Sequence, residues 1–211
     1  MLFRSGLRVE TGDNPQLLAH LLSGKIDLAI MVEPDRRPDL VFESLFSDEL
    51  RFVMLPTDPW AAAPSITDAN IADATLILAN KSTRTHQLVT SYFRNARISI
   101  QRCIELGSVE SIKELVKNGL GIGIVAEWPI RAELARGELV TRPLGERPLR
   151  RQWQAAFLRE RGLNATEETL LRFFREDTAS LNNVSAERKA AARPRVRRPL
   201  TVGRPLLAGG R

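Results

Sequence analysis

The sequence predicts an α/β fold with two lobes, and an internal repeat is the first observation behind this prediction. Residues 9–30 ("VETGDNPQLLAHLLSGKIDLAI") and 104–125 ("IELGSVESIKELVKNGLGIGIV") both read as strand, glycine, capping residue, amphipathic helix, glycine and strand. The two glycines of each unit lie twelve residues apart, at Gly12 and Gly24 and at Gly107 and Gly119. Coincidence between two ordinary strand–helix–strand units is the alternative, but the matched spacing favours equivalent units in two lobes.

The first unit carries the usual signals of a helix. Asp13 or Asn14 can cap its start, and Pro15 suits its first turn. The apolar stripe of this helix consists of Leu17, Leu18, Leu21 and Leu22. Further along the chain, residues 50–55 ("LRFVML") predict a strand that stops at Pro56.

Residues 74–96 predict a buried strand, a polar loop and a second helix. The loop, residues 80–85 ("NKSTRT"), offers hydroxyl groups and Arg84 just beyond the carboxyl end of the strand, where α/β proteins bind ligands. An equally good interpretation is that Ser82 or Thr83 only caps the helix. That helix carries the apolar side chains of Leu88, Val89, Tyr92 and Phe93.

The second unit contains letters that resemble a dinucleotide-binding fingerprint. Ser108 is its predicted N-cap, and Gly119 is its predicted helix end. Residues 121–126 ("GIGIVA") fit G-x-G-x-x-A, a pattern that works when the glycines follow a strand and open a helix. Here they follow a helix and enter a strand. We therefore predict no cofactor at this segment.

The chain ends in a strand, a helix and a basic segment. Residues 149–158 ("LRRQWQAAFL") predict the return strand, and residues 165–176 ("ATEETLLRFFRE") predict a helix. Residues 185–211 are rich in Pro, Gly, Ala and Arg without a regular period, which predicts disorder. This segment holds eight of the 31 Lys and Arg residues and one of the 25 acids. Residues 1–184 are thus nearly neutral and lack the positive bias of a DNA-binding surface.

Composition excludes several classes of protein. Cys103 is the only cysteine, and with His20 and His86 it is too little for a Cys/His metal site, so we predict no metal. No apolar run approaches the roughly 18 residues of a membrane span, and the N-terminus has no signal-peptide pattern. We therefore expect a cytoplasmic protein without a membrane partner.

The repeated units predict a ligand class. Ligands of open α/β sheets bind outside the carboxyl ends of the strands, where helix N-termini converge. Two such units facing each other would direct free N–H groups with partial positive charge into one cleft. The sequence therefore predicts a site for a small anion such as a carboxylate, sulfate or phosphate.

From about residue 7 to residue 176 the chain resembles the effector-binding domain of LysR-type transcriptional regulators. The resemblance lies in "LLSGKIDLAIMVEP", "ESLFSDELRFVMLPTDPWA" and, above all, "GSVESIKELVKNGLGIGIVAEWPIRAELARGELVTRPL", in the order that the family has. It implies a periplasmic-binding-protein-like (type 2) fold, in which two crossover strands join the lobes and a small effector binds between them. Residues 1–55 with 155–180 would form lobe I, residues 56–154 lobe II, and residues 181–211 a disordered basic tail.

The resemblance also implies a DNA-binding domain and an assembly, and the sequence departs from this family pattern. Members of the family begin with a winged helix-turn-helix domain, and they form homodimers or tetramers. This chain has no such segment, and it also lacks the family's first strand and helix of lobe I. We therefore expect an N-terminally truncated regulator whose dimerisation is in question and which contacts DNA only through a domain absent from this chain.

Transferring the family's roles position by position gives eight candidate effector-binding residues. They are Asp13 and Asn14 at the first helix start, Ser82, Thr83 and Thr85 in the polar loop, Ser108 and Val109 at the second helix start, and Trp128 beyond the following strand. Each would orient the effector through a backbone N–H or a hydroxyl, while Trp128 would line the cleft. Each capping residue is equally well explained as a cap, and Trp128 as a core residue.

Three functions compete for this sequence. The favoured one is a ligand-sensing module of a transcriptional regulator. A non-functional gene fragment is the alternative to any function. A solute-binding protein of the same fold is the second, and the missing export signal argues against it. An enzyme is the third, but no catalytic set, phosphate loop or metal cluster stands out, so we predict no catalytic residue.

Overall fold

The computed structural model describes residues 6–191, and the side chains of residues 6–178. Within this range the chain forms one mixed sheet flanked by helices. The strands are β1 (Ala29–Val32), β2 (Leu40–Met54), β3 (Thr75–Ala79), β4 (Arg102–Leu106), β5 (Ile122–Ala126), β6 (Val140–Pro143) and β7 (Leu149–Leu158). The helices are α1 (Asn14–Leu22), α2 (Pro59–Ala62), α3 (Asp68–Asp73), α4 (Arg84–Asn95), α5 (Val109–Lys117), α6 (Arg131–Arg136) and α7 (Ala165–Ala191), with a 3-10 turn at Trp128–Ile130.

Two long strands, β2 and β7, connect the lobes. They pair in antiparallel fashion, with a change of register between Ser44 and Phe46. In the first lobe β1 adds to β7, while in the second lobe β5 and β6 add to residues 50–54 of β2. The strand order is β1-β7-β2-β5-β3-β4, with β6 pairing to β2. The predicted α/β fold with two crossover strands is therefore confirmed.

The second lobe places helices on both faces of its sheet. Leu76 and Leu78 of β3 pack with the core that includes Val89 and Phe93 of α4. Ile77, which points the other way, packs with the core that includes Ile112 and Val116 of α5. Because β3 runs parallel to both β4 and β5, α4 and α5 begin at the same edge of the sheet. That edge carries most of the predicted site residues.

The first lobe has a smaller core of the same layered kind. Leu18 and Leu21 of α1 pack against Ala29 and Met31 of β1. On the opposite face, α7 contributes Leu171 to a cluster with Leu45, Phe46 and Ala155. The lobe thus has α1 on one face and α7 on the other.

Strand β2 contributes to the cores of both lobes, and its residues pass from one core to the other before residue 55, the predicted boundary. Leu50, Phe52 and Met54 belong to the core of the second lobe, together with Leu76 and Phe93. Phe46 belongs to the core of the first lobe. The change of lobe falls between Phe46 and Leu50, inside a continuous strand, where no turn residue marks it.

The repeated units are only partly alike. In the second unit β4, α5 and β5 all form, and in both units the closing glycine has a left-handed backbone, with φ of +67° at Gly24 and +71° at Gly119. The predicted first strand, near Val9, is not a strand. Within the described residues it has no paired neighbour, and the side chains of Leu7 and Val9 are exposed.

Helix α7 extends beyond the predicted start of the basic tail. It continues through residues 181–191, which were predicted to be disordered. This stretch has no proline or glycine and includes Ala, Glu, Arg and Lys, which favour helix, and the first proline follows at Pro194. Residues 192–211, the rest of the predicted tail, lie outside the described residues.

The described part of the chain offers neither a membrane-spanning helix nor a metal-binding cluster. None of its helices combines the length and the apolar character needed to cross a bilayer. In that same part, no three His, Cys, Asp or Glu side chains are grouped so that they would hold a metal ion.

Candidate functional site

The polar loop and the start of α5 lie side by side at the carboxyl edge of the second lobe's sheet. The backbone N–H of Asn80 donates to the carbonyl of Leu106 at 2.9 Å, and that of Lys81 donates to the carboxylate of Glu105 at 3.2 Å. These bonds hold the loop of residues 80–85 against the end of β4. Because Ser108 follows two residues later, the loop and the α5 start are neighbours.

Two of the predicted hydroxyls serve as helix caps. Thr83 Oγ1 accepts from the N–H of His86 at 3.2 Å and donates to the carbonyl of Asn80 at 2.7 Å. Ser108 Oγ accepts from the N–H of Ser111 at 3.1 Å. The capping interpretation of both residues is correct, and any effector contact made by them is additional to it.

Ser82 and Val109 differ in which of their groups are accessible to a ligand. The N–H of Ser82 donates to Asn80 Oδ1 at 3.1 Å, and its side chain is exposed. Val109 is the first residue of α5, and its side chain packs against the core around Ile112. Only the backbone N–H of Val109 is thus suited to meet a ligand.

The two predicted residues of the first lobe fix the start of α1. Asp13 caps this helix, its Oδ1 accepting from the N–H of Gln16 at 3.0 Å. Asn14 Nδ2 donates to the carbonyl of Val32 at 2.7 Å. The start of α1 is therefore tied to the end of β1, next to Glu33.

Glu33 forms a polar contact between the lobes. Its carboxylate lies 3.5 Å from Arg84 Nη2, on the first turn of α4. Glu33 also exchanges hydrogen bonds with Gln152 of β7: its N–H donates to the Gln152 carbonyl at 2.9 Å, and the Gln152 N–H approaches its Oε1 at 3.4 Å. The end of β1 thus links the two helix starts: the Val32 carbonyl accepts from Asn14 at the start of α1, and the Glu33 carboxylate meets Arg84 at the start of α4.

The buried carboxylate of Asp48 holds the two crossover strands together through hydrogen bonds. Asp48 of β2 accepts from Arg151 Nε at 2.8 Å, from Trp128 Nε1 at 2.9 Å and from Trp153 Nε1 at 3.0 Å. Both Asp48 and Arg151 are buried. Arg151 Nη1 also donates to Thr85 Oγ1 at 2.7 Å. The cluster therefore joins both crossover strands to the start of α4 and to Trp128.

This cluster determines what Thr85 and Trp128 can do. Because Thr85 Oγ1 already accepts from Arg151, its own proton is available to donate to a ligand oxygen. Trp128 is fixed by its N–H to Asp48 and by edge contacts with Phe46 and Trp153, and 38% of it remains exposed. It belongs to an aromatic cluster and also presents surface beside the site.

Four residues of this region were not predicted from the sequence: Glu33, Asp48, Arg151 and Trp153. Asp48 carried a usable signal, because it occupies the face of β2 that otherwise bears Phe46, Leu50, Phe52 and Met54. A charge at a core position of an alternating strand requires a buried partner. No local pattern identifies that partner as Arg151.

The helix starts supply hydrogen-bond donors. They present backbone N–H groups, the hydroxyls of Ser82 and Thr85 and the guanidinium of Arg84. Such a set has the donors that an anion would require. Grooves of about 490, 440 and 300 Å³ lie elsewhere, the first beside α7. We assign the site from converging donors rather than from groove volume, because volume alone carries no chemistry.

Comparison with known proteins agrees with this architecture. The family model described as the LysR substrate binding domain matches residues 4–179. A RuBisCO operon transcriptional regulator of Allochromatium vinosum is 26% identical over 177 residues, covering 84% of this chain and 59% of its own length. The chain spans about half the length of the curated relatives it matches, between 43% and 59%.

Solved structures of similar fold include domains with bound small molecules. The regulatory domain of Synechocystis PCC6803 CcmR in complex with 2-PG gives a TM-score of 0.68 at 26% identity, covering 79% of this chain and 80% of that one. The effector-binding domain of QuiR in complex with shikimate gives 0.65 at 22% identity, covering 78% of this chain and 77% of that one. These similarities confirm the periplasmic-binding-protein-like arrangement.

Proposed function

The chain belongs to the LysR substrate-binding domain family, and from that premise we propose that it senses a small anionic effector between its two lobes as part of a transcriptional regulator. DNA contact would be made by a separate helix-turn-helix domain, and the proposal places the protein in the cytoplasm. Assembly into a homodimer or tetramer, as the family resemblance implies, remains a prediction.

The observation that carries this proposal is the convergence of donors at one edge. The starts of α4 and α5 are neighbours through the bond from Asn80 to Leu106, and Arg84 reaches the end of β1 beside the start of α1. Helix starts carry partial positive charge and free N–H groups. With Arg84 and the Thr85 hydroxyl added, the site favours carboxylate or phosphate ligands.

The similar proteins support the same ligand class. The CcmR domain is described with 2-PG and the QuiR domain with shikimate, which is a carboxylate. The curated relatives are transcriptional regulators by name. We infer a small organic acid as the effector, and the donors at the site support binding rather than turnover.

The crossover strands suggest how binding would be transmitted. A ligand that contacts both lobes stabilises the arrangement in which both contacts are made, and it shifts the population toward that arrangement. The lobes are joined by β2 and β7, so their relative position is set where these strands pass from one core to the other. An attached DNA-binding domain would then follow the lobes.

Calorimetry and thermal unfolding with a panel of acids would test the proposal. The full chain would be titrated with 2-PG, shikimate, citrate and inorganic phosphate, and with glycerol as a neutral control. At about 100 times its dissociation constant, a bound acid should stabilise the chain by about 2.7 kcal/mol. Absence of binding across the acids, in a sample with a cooperative unfolding transition, would contradict an anion site.

The same samples would separate a sensor from an enzyme. NMR spectra of the acid that binds, collected over hours with the chain present, should stay unchanged. Conversion of that acid at a rate proportional to chain concentration would contradict the sensor assignment.

A further inference from the structure

Arg84 lies in an electrostatically unfavourable position. It is the first residue of α4, and the first turn of this helix contains no acidic residue. A cation at a helix start is repelled by the partial positive charge there, so it needs an anion nearby. Among the described residues, the ion-pair partner of Arg84 is Glu33, in the other lobe.

The contact between Arg84 and Glu33 does not use all the N–H donors of the guanidinium group. Its one nitrogen–oxygen approach is 3.5 Å, at the limit of a hydrogen bond. Arg84 Nη1 meets the Gln87 side chain at 3.4 Å, and Arg84 Nε is buried without a partner among the described residues. A guanidinium binds carboxylate or phosphate best through two parallel N–H donors, which Glu33 does not engage.

Glu33 is held in an uncommon conformation at the end of β1. Its φ is +40°, in the left-handed region that residues other than glycine seldom adopt. Its N–H and carboxylate are both directed to Gln152 of the crossover strand β7. The fold thus presents this carboxylate to Arg84 from a strained backbone position.

We propose that Glu33 is a tethered competitor that occupies Arg84 until an effector oxyanion displaces it. This inference rests on the proposed anion site and adds its regulation and selectivity. An incoming carboxylate or phosphate gains a two-point contact with Arg84 that Glu33 lacks. Chloride, with a single centre, gains no such advantage. The site therefore selects oxyanions capable of bidentate contact.

Displacement of Glu33 also removes a contact between the lobes. Glu33 follows β1 in the first lobe, whereas Arg84 begins α4 in the second. While they are paired, the contact restrains the lobes. Once the effector holds Arg84, the end of β1 is released from α4, and binding is thereby linked to lobe position.

A double-mutant cycle with inorganic phosphate as the probe tests the competition. Calorimetric titration would compare the wild-type chain with Glu33→Gln, Arg84→Gln and the double variant, all at constant ionic strength. A solvent-accessible ion pair such as this partly exposed one is worth up to about 1 kcal/mol, so Glu33→Gln should raise phosphate affinity by about two- to fivefold. In the Arg84→Gln background the same change should have almost no effect.

The matched control is Glu114→Gln. Glu114 forms an exposed pair with Lys117 within the second lobe, so the substitution removes the same charge away from the site. It should leave phosphate affinity unchanged. If wild type binds phosphate and Glu33→Gln binds no more tightly than Glu114→Gln, the competitor role is wrong while the anion site stands. If no variant binds phosphate or 2-PG, the anion site and the competitor both fail.

A distance measurement tests the restraint without a ligand. Cys103 is the single cysteine and is exposed in the second lobe, and Ala19 is exposed on α1 in the first. With spin labels at Cys103 and at Ala19→Cys, pulsed electron paramagnetic resonance would measure the distance between the lobes. Glu33→Gln should shift or broaden the distribution. If the labelled Glu33→Gln chain gives the same distance distribution as the labelled chain with Glu33, the proposal that this contact restrains the lobes is wrong.

Discussion

Asp48 of β2 and Arg151 of β7 form a buried ion pair between the two crossover strands, at the level where the chain passes from one lobe to the other. Two guanidinium nitrogens donate to the two carboxylate oxygens, and both tryptophan N–H groups of the cluster reach the same carboxylate. The pair thus fixes the alignment of the two strands that join the lobes.

The first prediction concerns this pair. Replacing one member of a buried pair leaves the other charge unpaired, so Asp48→Asn should reduce the free energy of unfolding by about 3 kcal/mol. Urea denaturation followed by tryptophan fluorescence would measure it. Glu114→Gln, which removes an exposed pair, should change stability by less than about 1 kcal/mol. Equal losses for the two variants would contradict the structural role of Asp48.

The second prediction concerns the Thr85 hydroxyl. Thr85→Val removes a donor proposed to meet the effector, and it removes the acceptor of Arg151 Nη1. Hydrogen bonds to charged groups are worth about 1.5–3 kcal/mol, so affinity for phosphate or 2-PG should fall by at least about tenfold. Thr85→Ser keeps the hydroxyl and should retain affinity. If the valine variant remains folded and binds as tightly as the serine variant, Thr85 is not an effector contact.

The third prediction concerns the glycines at the start of β5. A Cβ at Gly121 would collide with the carbonyl oxygen of Thr75, and one at Gly123 would lie 2.9 Å from Val116 Cγ2. Each substitution to alanine should therefore destabilise the chain by about 1–3 kcal/mol. Gly107→Ala is the control, because apart from its two neighbours in the chain no residue has a heavy atom within 4 Å of the position that its Cβ would take. Thermal unfolding would measure the stability of the three variants. Equal unfolding temperatures for all three would refute the packing argument.

The fourth prediction concerns acid stability. The Glu167 carboxylate accepts hydrogen bonds from Arg161 and from Asn164, and the Arg161 bond is the main reason that the pKa of Glu167 is lowered. A carboxyl group with a lowered pKa in the folded state contributes stability above its ordinary pKa of about 4.3, and this contribution disappears as pH falls through the folded value.

Glu167→Gln should therefore lower the unfolding temperature at pH 7, corresponding to about 1 kcal/mol or less, and the difference from wild type should shrink below about pH 4.5. Melting curves between pH 3 and pH 7 would measure it. Glu168→Gln is the control, since this neighbouring side chain is exposed. A Glu167→Gln deficit that stays constant across the pH range would rule out the charge as its cause.

Local patterns were sufficient for most elements of this fold. Alternation predicted β7, and the helical spacing of leucines and valines predicted α1 and α5. Ser108 was predicted as a cap and Asp13 as one of two candidate caps, and the glycine after each of the two helices was predicted as its end. These features are local because hydrogen bonds within a helix turn, and side chains within a strand, involve residues close in sequence.

Other features were decided by tertiary structure. Asp48 and Arg151 are 103 residues apart, and Glu33 and Arg84 are 51 apart, so no periodicity links them. The lobe boundary lies inside β2, which is a uniform strand in sequence.

The sequence by itself thus determined the order of the elements, the cap of α5, two candidate caps each for α1 and α4, and the family. Only the tertiary structure decided which charges meet. Burial leaves a charged group stable only beside an opposite charge, and the partner is whichever side chain the folded sheet brings within reach.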